Sequence, residues 1–234
     1  MDEVTNLSTG LNCHFSNEQG MWIRCISQND KPIAPKISTK EKPKHVTSNE
    51  TSILTALNAS EDRCDAMLTG DSTAKEIMPH LSKNVGILQV PHHGSSINST
   101  IKDETRLREF ADRYGLQSNK KELKEILECA LFYDTFRAQC YLISAGGTLN
   151  YKHPGSSVLQ GIIVANALRT HSCVIVATNS RGLDSEKLNQ LHKLLPQHMK
   201  KWTEWVKIYH YSDVFIQTET ETQCHTLIRP AKVC

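Results

Sequence analysis

Residues 92 and 93 are both histidine, in the stretch "QVPHHGSSINST" that follows the apolar run "VGILQV". Imidazole is a metal ligand and a proton carrier near neutral pH. A strand end followed by Gly and Ser is where a fold can hold such side chains rigid yet open to a ligand. Two other apolar runs end similarly. "MLTGDS" places Asp71 after a Gly turn, just ahead of the helical stretch "TAKEIM", and "SAGGTLNYKHPGSS" places His153 before Pro154, a favoured first residue of a helix. The positive end of a helix beyond Asp71 would keep its carboxylate ionised, as a ligand must be. An Asp and two His-bearing loops on one side of a sheet could hold zinc or manganese. Each motif alone has an ordinary reading, as a turn, a loop or a residue ahead of a helix. The ordered set of three, each at a strand end, points to chemistry.

Those residues need a layered scaffold, and the chain carries the pattern for one. "MWIRCIS" reads as a strand, and "TSILTAL" and "CDAMLTG" as two strands joined by the polar "NASEDR", suited to a hairpin. "STAKEIMPHL" has helical character and "VGILQV" is a strand. Two amphipathic helices follow. In the first, Leu107, Phe110, Ala111 and Tyr114 share a face; in the second, Leu123, Ile126, Leu127, Ala130 and Leu131 do. "QCYLISAGG" reads as a strand, "SSVLQGIIVANAL" as a helix, "SCVIVAT" as a strand and "DSEKLNQLHKLL" as a helix. The tail, "WVKIYHYSDVFIQTETETQCHTLI", alternates as two or three antiparallel strands would. This succession predicts a layered α/β domain with its chemistry in loops at strand ends. The expected organisation is an N-terminal strand segment over 1–28, a Lys/Pro-rich linker over 29–48, and a domain over 49–234 with a helical insert at 104–136. The linker, with Lys36, Lys40, Lys42 and Lys44 among Pro, Ser and Thr, is expected to be mobile.

Composition narrows the classes. The chain has 234 residues, 38% hydrophobic and 22% charged, which suits an ordinary globular core. A net charge of +2 argues against strong nonspecific nucleic-acid binding. No apolar run reaches the roughly 20 residues a membrane span needs. The start, "MDEVTNLSTG", lacks a basic and apolar leader, so a cytoplasmic protein without a membrane partner is expected. The eight cysteines are scattered singly, several inside apolar runs, and read as reduced, buried thiols.

Taken in order, Asn49 with "SILTAL", then "AMLTGDS", "ILQVPHHGSS", "LISAGGTLNYKHP", a helix and "VIVATNSRG", resemble the C-terminal half of a metallo-β-lactamase-fold hydrolase. The branch most resembled is that of competence-type DNA-uptake proteins and their soluble relatives, over roughly residues 49 to 182. The resemblance implies an αββα sandwich with metal ions, usually zinc, at one edge, activating a water that attacks a phosphoryl or carbonyl centre. It implies that Asp71 is the acidic ligand, His153 a late histidine ligand, and His92 or His93 a ligand or substrate-phosphate contact. Asp71, His92 and His93 would be catalytic, and Ser95, Ser96 and Asn150 would contact substrate. The family's H-x-H-x-D-H motif is absent: before His80 the histidines are His14 and His45, and neither begins it. A partial αββα domain lacking much of its N-terminal half is therefore expected. It would be a phosphodiesterase or nuclease-like hydrolase, incomplete or weakly active, with at most one zinc or manganese ion. The alternative is a noncatalytic module of the same fold that self-associates or binds a protein partner through residues 104–136.

Overall fold

A computed structural model describes residues 14–16, 22–28, 52–57, 62–116, 121–145, 153–178, 185–194, 201–210, 214–217 and 227–230. Among these, eight strands form one mixed sheet whose spatial order is the order of the chain. They are β1 (His14–Ser16), β2 (Trp22–Gln28), β3 (Ile53–Leu57), β4 (Arg63–Leu68), β5 (Asn84–Gln89), β6 (Arg137–Ile143), β7 (Cys173–Ala177) and β8 (Val206–His210). β1 to β4 pair antiparallel, and β4 to β8 pair parallel. Parallel neighbours need crossovers, and helices supply them. The crossovers use α1 (Ala74–Ile77), α2 (Glu104–Tyr114), α3 (Lys121–Asp134), α4 (Ser156–Leu168), α5 (Ser185–Leu194) and α6 (Trp202–Trp205).

When sequential parallel strands are also spatial neighbours, right-handed crossovers bring their helices to one face. α4 accordingly packs against α3, α5 and α6, and α2 against α3. The register row Met67, Leu88, Tyr141, Ile175 runs across β4 to β7, every member fully buried in the core cluster shared with these helices. The row on the opposite face, Ala66, Ile87, Cys140, Val174, is apolar too, yet Ile87 and Val174 keep part of their surface exposed. α4 is buried from Ser157 to Ala167, which makes it the centre of the helical layer. Its Gly161 lets α3 approach so closely that an added Cβ would lie 2.6 Å from the Cys129 Cβ.

Several expectations change here. The mixed α/β class stands, and the hairpin of β3 and β4 is present. The helices of the expected insert at 104–136 pack into the core, the default use of amphipathic faces. Leu107, Phe110 and Ala111 of α2 and Leu123, Ile126, Leu127, Ala130 and Leu131 of α3 are buried, so the apolar faces offered for a partner are inside the protein. The tail is not wholly antiparallel: β8 joins β7 in parallel, while β9 (Val214–Gln217) and β10 (Leu227–Pro230) form a separate antiparallel pair. β2 pairs with β3, so the N-terminal strand shares the main sheet. β1 was not anticipated. Cys64, Cys129, Cys140 and Cys173 are free and buried, and burial raises Cys64 to about 11 and Cys140 and Cys173 to about 12. The linker at 29–48, with its expected mobility, and Asn150 lie outside the described residues. No helix among the described residues is long and apolar enough to cross a membrane.

Candidate functional site

Parallel order from β4 to β6 sets the C-terminal ends of these strands side by side, and the three motifs leave from there. The first two loops are laced together. Thr69 donates through Oγ1 to the Gln89 carbonyl at 2.9 Å, Gln89 Oε1 accepts from the Thr69 N–H at 3.1 Å, and the His92 N–H donates to the Gly70 carbonyl at 2.9 Å. The Asp71 N–H donates to Ser52 Oγ at 3.2 Å. The expected contribution of a helix terminus to Asp71 is not what holds it. α1 starts three residues later, and Thr73 and Glu76 cap it with a reciprocal capping box.

The turn Pro91–Gly94 is built from left-handed residues. His92 has φ 47°, His93 φ 56° and Gly94 φ 82°. For an L-residue this region costs about 1–2 kcal/mol, and runs of it are rare. Glycine is required at 94 for a second reason, since a Cβ there would meet the Pro154 Cβ at 2.7 Å. The Gly155 N–H donates to the Gly94 carbonyl at 2.8 Å, so the third loop is docked directly on the histidine turn. His153 thereby comes beside His92, their ring centroids 5.8 Å apart at 70°. Pro154 is not the first residue of α4, because Gly155 occupies the N-cap and the helix begins at Ser156.

His92 and His93 point differently. Their ring centroids are 6.1 Å apart at 80°. His92 Nδ1 accepts from Asn98 Nδ2 at 2.7 Å, and the same amide donates to the Asp71 carbonyl at 3.4 Å. That leaves the proton of a neutral His92 on Nε2. His93 Nδ1 is bonded to the Ser144 carbonyl, which has only lone pairs to offer, so Nδ1 carries the proton. His93 Nε2 then faces Asp71 Oδ1 at 3.6 Å, with both side chains partly exposed. A neutral ring would oppose two lone pairs there. A cation between the two atoms would satisfy both. Direct hydrogen bonds are shorter than this separation. Two ligands of one tetrahedral zinc, with bonds near 2 Å, sit roughly 3.3 Å apart.

Asp71 and His93 are poised as a pair, and the pKa of His153 is lowered from the usual 6.5, first by burial and then by His92 and His93, while Asp71 pulls it up. His92 is turned toward Asn98. Among the described residues no group of three or more His, Cys, Asp or Glu stands close enough to hold a metal ion as placed. Ser95 is buried at 7% exposure, with its N–H on the His92 carbonyl, which suits holding the turn; Ser96 is half-buried and nearer solvent.

The structure thus brings together Asp71, His92, His93 and His153. Sequence reasoning missed Asn98 and the Ser144 carbonyl, which set the two tautomers. Asn98 was visible as one polar residue in a polar loop, and nothing in its type distinguished it. No family model matches the chain, and neither a curated protein nor a solved structure matches it.

Proposed function

We propose that this chain is a metal-dependent hydrolase acting on phosphoesters, built on part of a metallo-β-lactamase-like αββα sandwich, with low intrinsic activity. The observation that carries this reading is the pairing of His93 Nε2 with Asp71 Oδ1 at 3.6 Å, with Nδ1 already committed to the Ser144 carbonyl. Strain in the left-handed His92 and His93 adds support, because such backbone collects at sites where a side chain must be aimed. On the sheet face opposite the buried row, Ile87 and Val174 keep part of their apolar surface exposed beside the buried Ala66 and Cys140, which suits a layer where a second sheet would pack.

Asp71 and His93 are the pair that would share zinc or manganese, and His153, which stands beside His92, would have to shift to become a third donor. Such an ion supplies a hydroxide-like water near neutral pH and stabilises charge on the attacked group. Asn98 fixes His92 with its proton on Nε2, where it can donate to an oxygen of the substrate or leaving group. Ser96, half-buried just past the turn, would contact substrate.

A second reading, a noncatalytic module of the same fold, draws on the lack of an assembled three-donor group among the described residues. Its partner surface would have to be something other than the apolar faces of α2 and α3.

Zinc titration of the chelator-treated protein by calorimetry tests the proposal, with hydrolysis of bis-p-nitrophenyl phosphate measured alongside. About one equivalent is expected in the native chain, with affinity falling at least about tenfold in both Asp71→Ala and His93→Ala. Slow turnover should vanish in the same variants. Equal zinc affinity in native and Asp71→Ala protein would refute the site, and zinc bound without any turnover would favour the second reading.

A further inference from the structure

Beside the histidine turn lies a cavity of about 780 Å³, within the range of small-molecule sites. Its walls include the apolar Met78, Pro79, Ile97 and Ile101, and three cations, Lys75, Lys102 and Arg106, stand around it. We infer that it binds the apolar group of an organic phosphate, with Lys75, Lys102 and Arg106 holding the anion. This rests on the hydrolase reading only in taking that ester to be the substrate.

Charge carries the argument first. Lys83, Lys124, Arg113, Arg169 and Lys201 each sit within ion-pair distance of a carboxylate. Lys75, Lys102 and Arg106 form no ion pair with any described residue, and the Arg106 guanidinium reaches only the Met78 sulfur at 3.9 Å. The one carboxylate lining the cavity, Asp103, is engaged in capping α2, accepting from the Thr105 and Arg106 N–H groups at 3.1 and 3.0 Å. A neighbouring cavity of about 320 Å³ shares Lys102, whose charge acts on Glu128 there, so Lys75 and Arg106 are the cations that line the larger cavity and not the smaller one.

Apolar surface carries it next. Ile97 is 80% exposed, against 42% for Leu68, the other exposed large hydrophobic side chain among the described residues. An apolar ligand group against Ile97 and Met78 would remove that surface from water. Connection to the site completes the case. Thr73, two residues past Asp71, and Ile97, four past His93, both line the cavity. The Ala74 N–H donates to the Asn98 carbonyl at 2.6 Å, and the Asn98 side chain bonds His92 and the Asp71 carbonyl, so one clamp joins the loops of cavity and site.

The test uses the full chain with chelator present, so that no metal contributes, and titrates 1-naphthyl phosphate, inorganic phosphate and 1-naphthol separately. The ester should bind at least about tenfold more tightly than either half, because it engages cations and apolar wall together. Lys75 and Lys102 are exposed, so the double variant Lys75→Glu, Lys102→Glu should fold; it should lose about tenfold for the ester and nothing for 1-naphthol. Ile97→Ser should weaken the ester and leave inorganic phosphate unchanged. Lys201→Glu, a charge reversal away from the cavity, should bind the ester as the native chain does, and the chelator separates this cavity from the metal site whatever the zinc titration gives. Binding of the ester no tighter than of its halves, or as large a loss in Lys201→Glu as in the double charge reversal, would overturn the inference. So would tighter binding of an acidic Leu-rich peptide.

Discussion

Gly94 offers a measurement in which two physical effects can be separated. Replacing it by Ala forces an L-residue to φ 82° and drives a methyl to 2.7 Å from the Pro154 Cβ. The left-handed backbone alone costs about 1–2 kcal/mol, offset by about 0.4–1 kcal/mol from the stiffer unfolded chain, leaving about 1 kcal/mol. The clash is with a pyrrolidine ring and its backbone, which cannot swing away as a long side chain would, so an overpacking cost of about 1–3 kcal/mol adds to it. Gly94→Ala should therefore destabilise by about 2–4 kcal/mol. Gly115 is the control: it caps α2 at φ 64° with nothing within 4 Å of an added Cβ, so Gly115→Ala should lose about 1 kcal/mol. Urea denaturation of both variants at constant m gives the difference. Equal losses would mean that the third loop is not docked on the histidine turn, and the placement of His153 beside His92 would go with it. Zinc affinity should fall in Gly94→Ala and stay native in Gly115→Ala, because only the first moves a donor.

Arg169 donates to the carbonyls of Tyr133, Asp134 and Phe136 at the end of α3, and its Nε lies 3.5 Å from the Asp134 carboxylate, itself 8% exposed. Arg169→Met should cost about 3–5 kcal/mol in urea denaturation, and a loss under about 1 kcal/mol would show the network to be incidental. His171 donates from Nε2 to the Ala138 carbonyl at 3.1 Å, and burial lowers its pKa below the usual 6.5, with Arg169 and Arg137 adding to the effect. Folding then binds fewer protons than the unfolded chain, so the contribution is complete above 6.5 and is lost as pH falls through the folded pKa. The thermal midpoint should drop between about pH 7.5 and about pH 5.5, less steeply in His171→Gln, and an unchanged slope would remove His171 as the cause.

What the sequence made legible follows from the range of the forces involved. Local alternation and helical spacing marked β2 to β7, and the strand ends named Asp71, His92, His93 and His153, since glycine and turn chemistry are written in neighbouring residues. β1, three residues long, is too short to show a period. β8 looked antiparallel because alternation reports burial on one face and says nothing of the direction of the partner. The helices at 104–136 read as an insert because the resembled family often has a short connection there, whereas a crossover between parallel strands can be any length that buries its faces, and α3 does so against α4 through Gly161. Asn98, Ser144 and the cavity depend on contacts between loops that the sheet brings together. No spacing rule reaches across them.

The turn at His92 and His93 joins these observations. Asn and Gly populate the left-handed region with least cost, and either would ease the backbone at both positions. The chain places there two imidazoles that lose that ease, then pins the turn by its hydrogen bonds to Gly70, Leu142 and Gly155. Left-handed backbone turns the two rings apart, one to Asn98 and one between Ser144 and Asp71. A relaxed helical turn would instead set successive side chains about 100° apart around one axis, and a strand would set them on opposite faces of the sheet. Neither would leave one imidazole committed at Nδ1 and aimed through Nε2 at a carboxylate 3.6 Å away. The strain is consistent with a site whose aim matters more than its share of stability, and that is the physical ground for reading Asp71 and His93 as a pair that shares a cation.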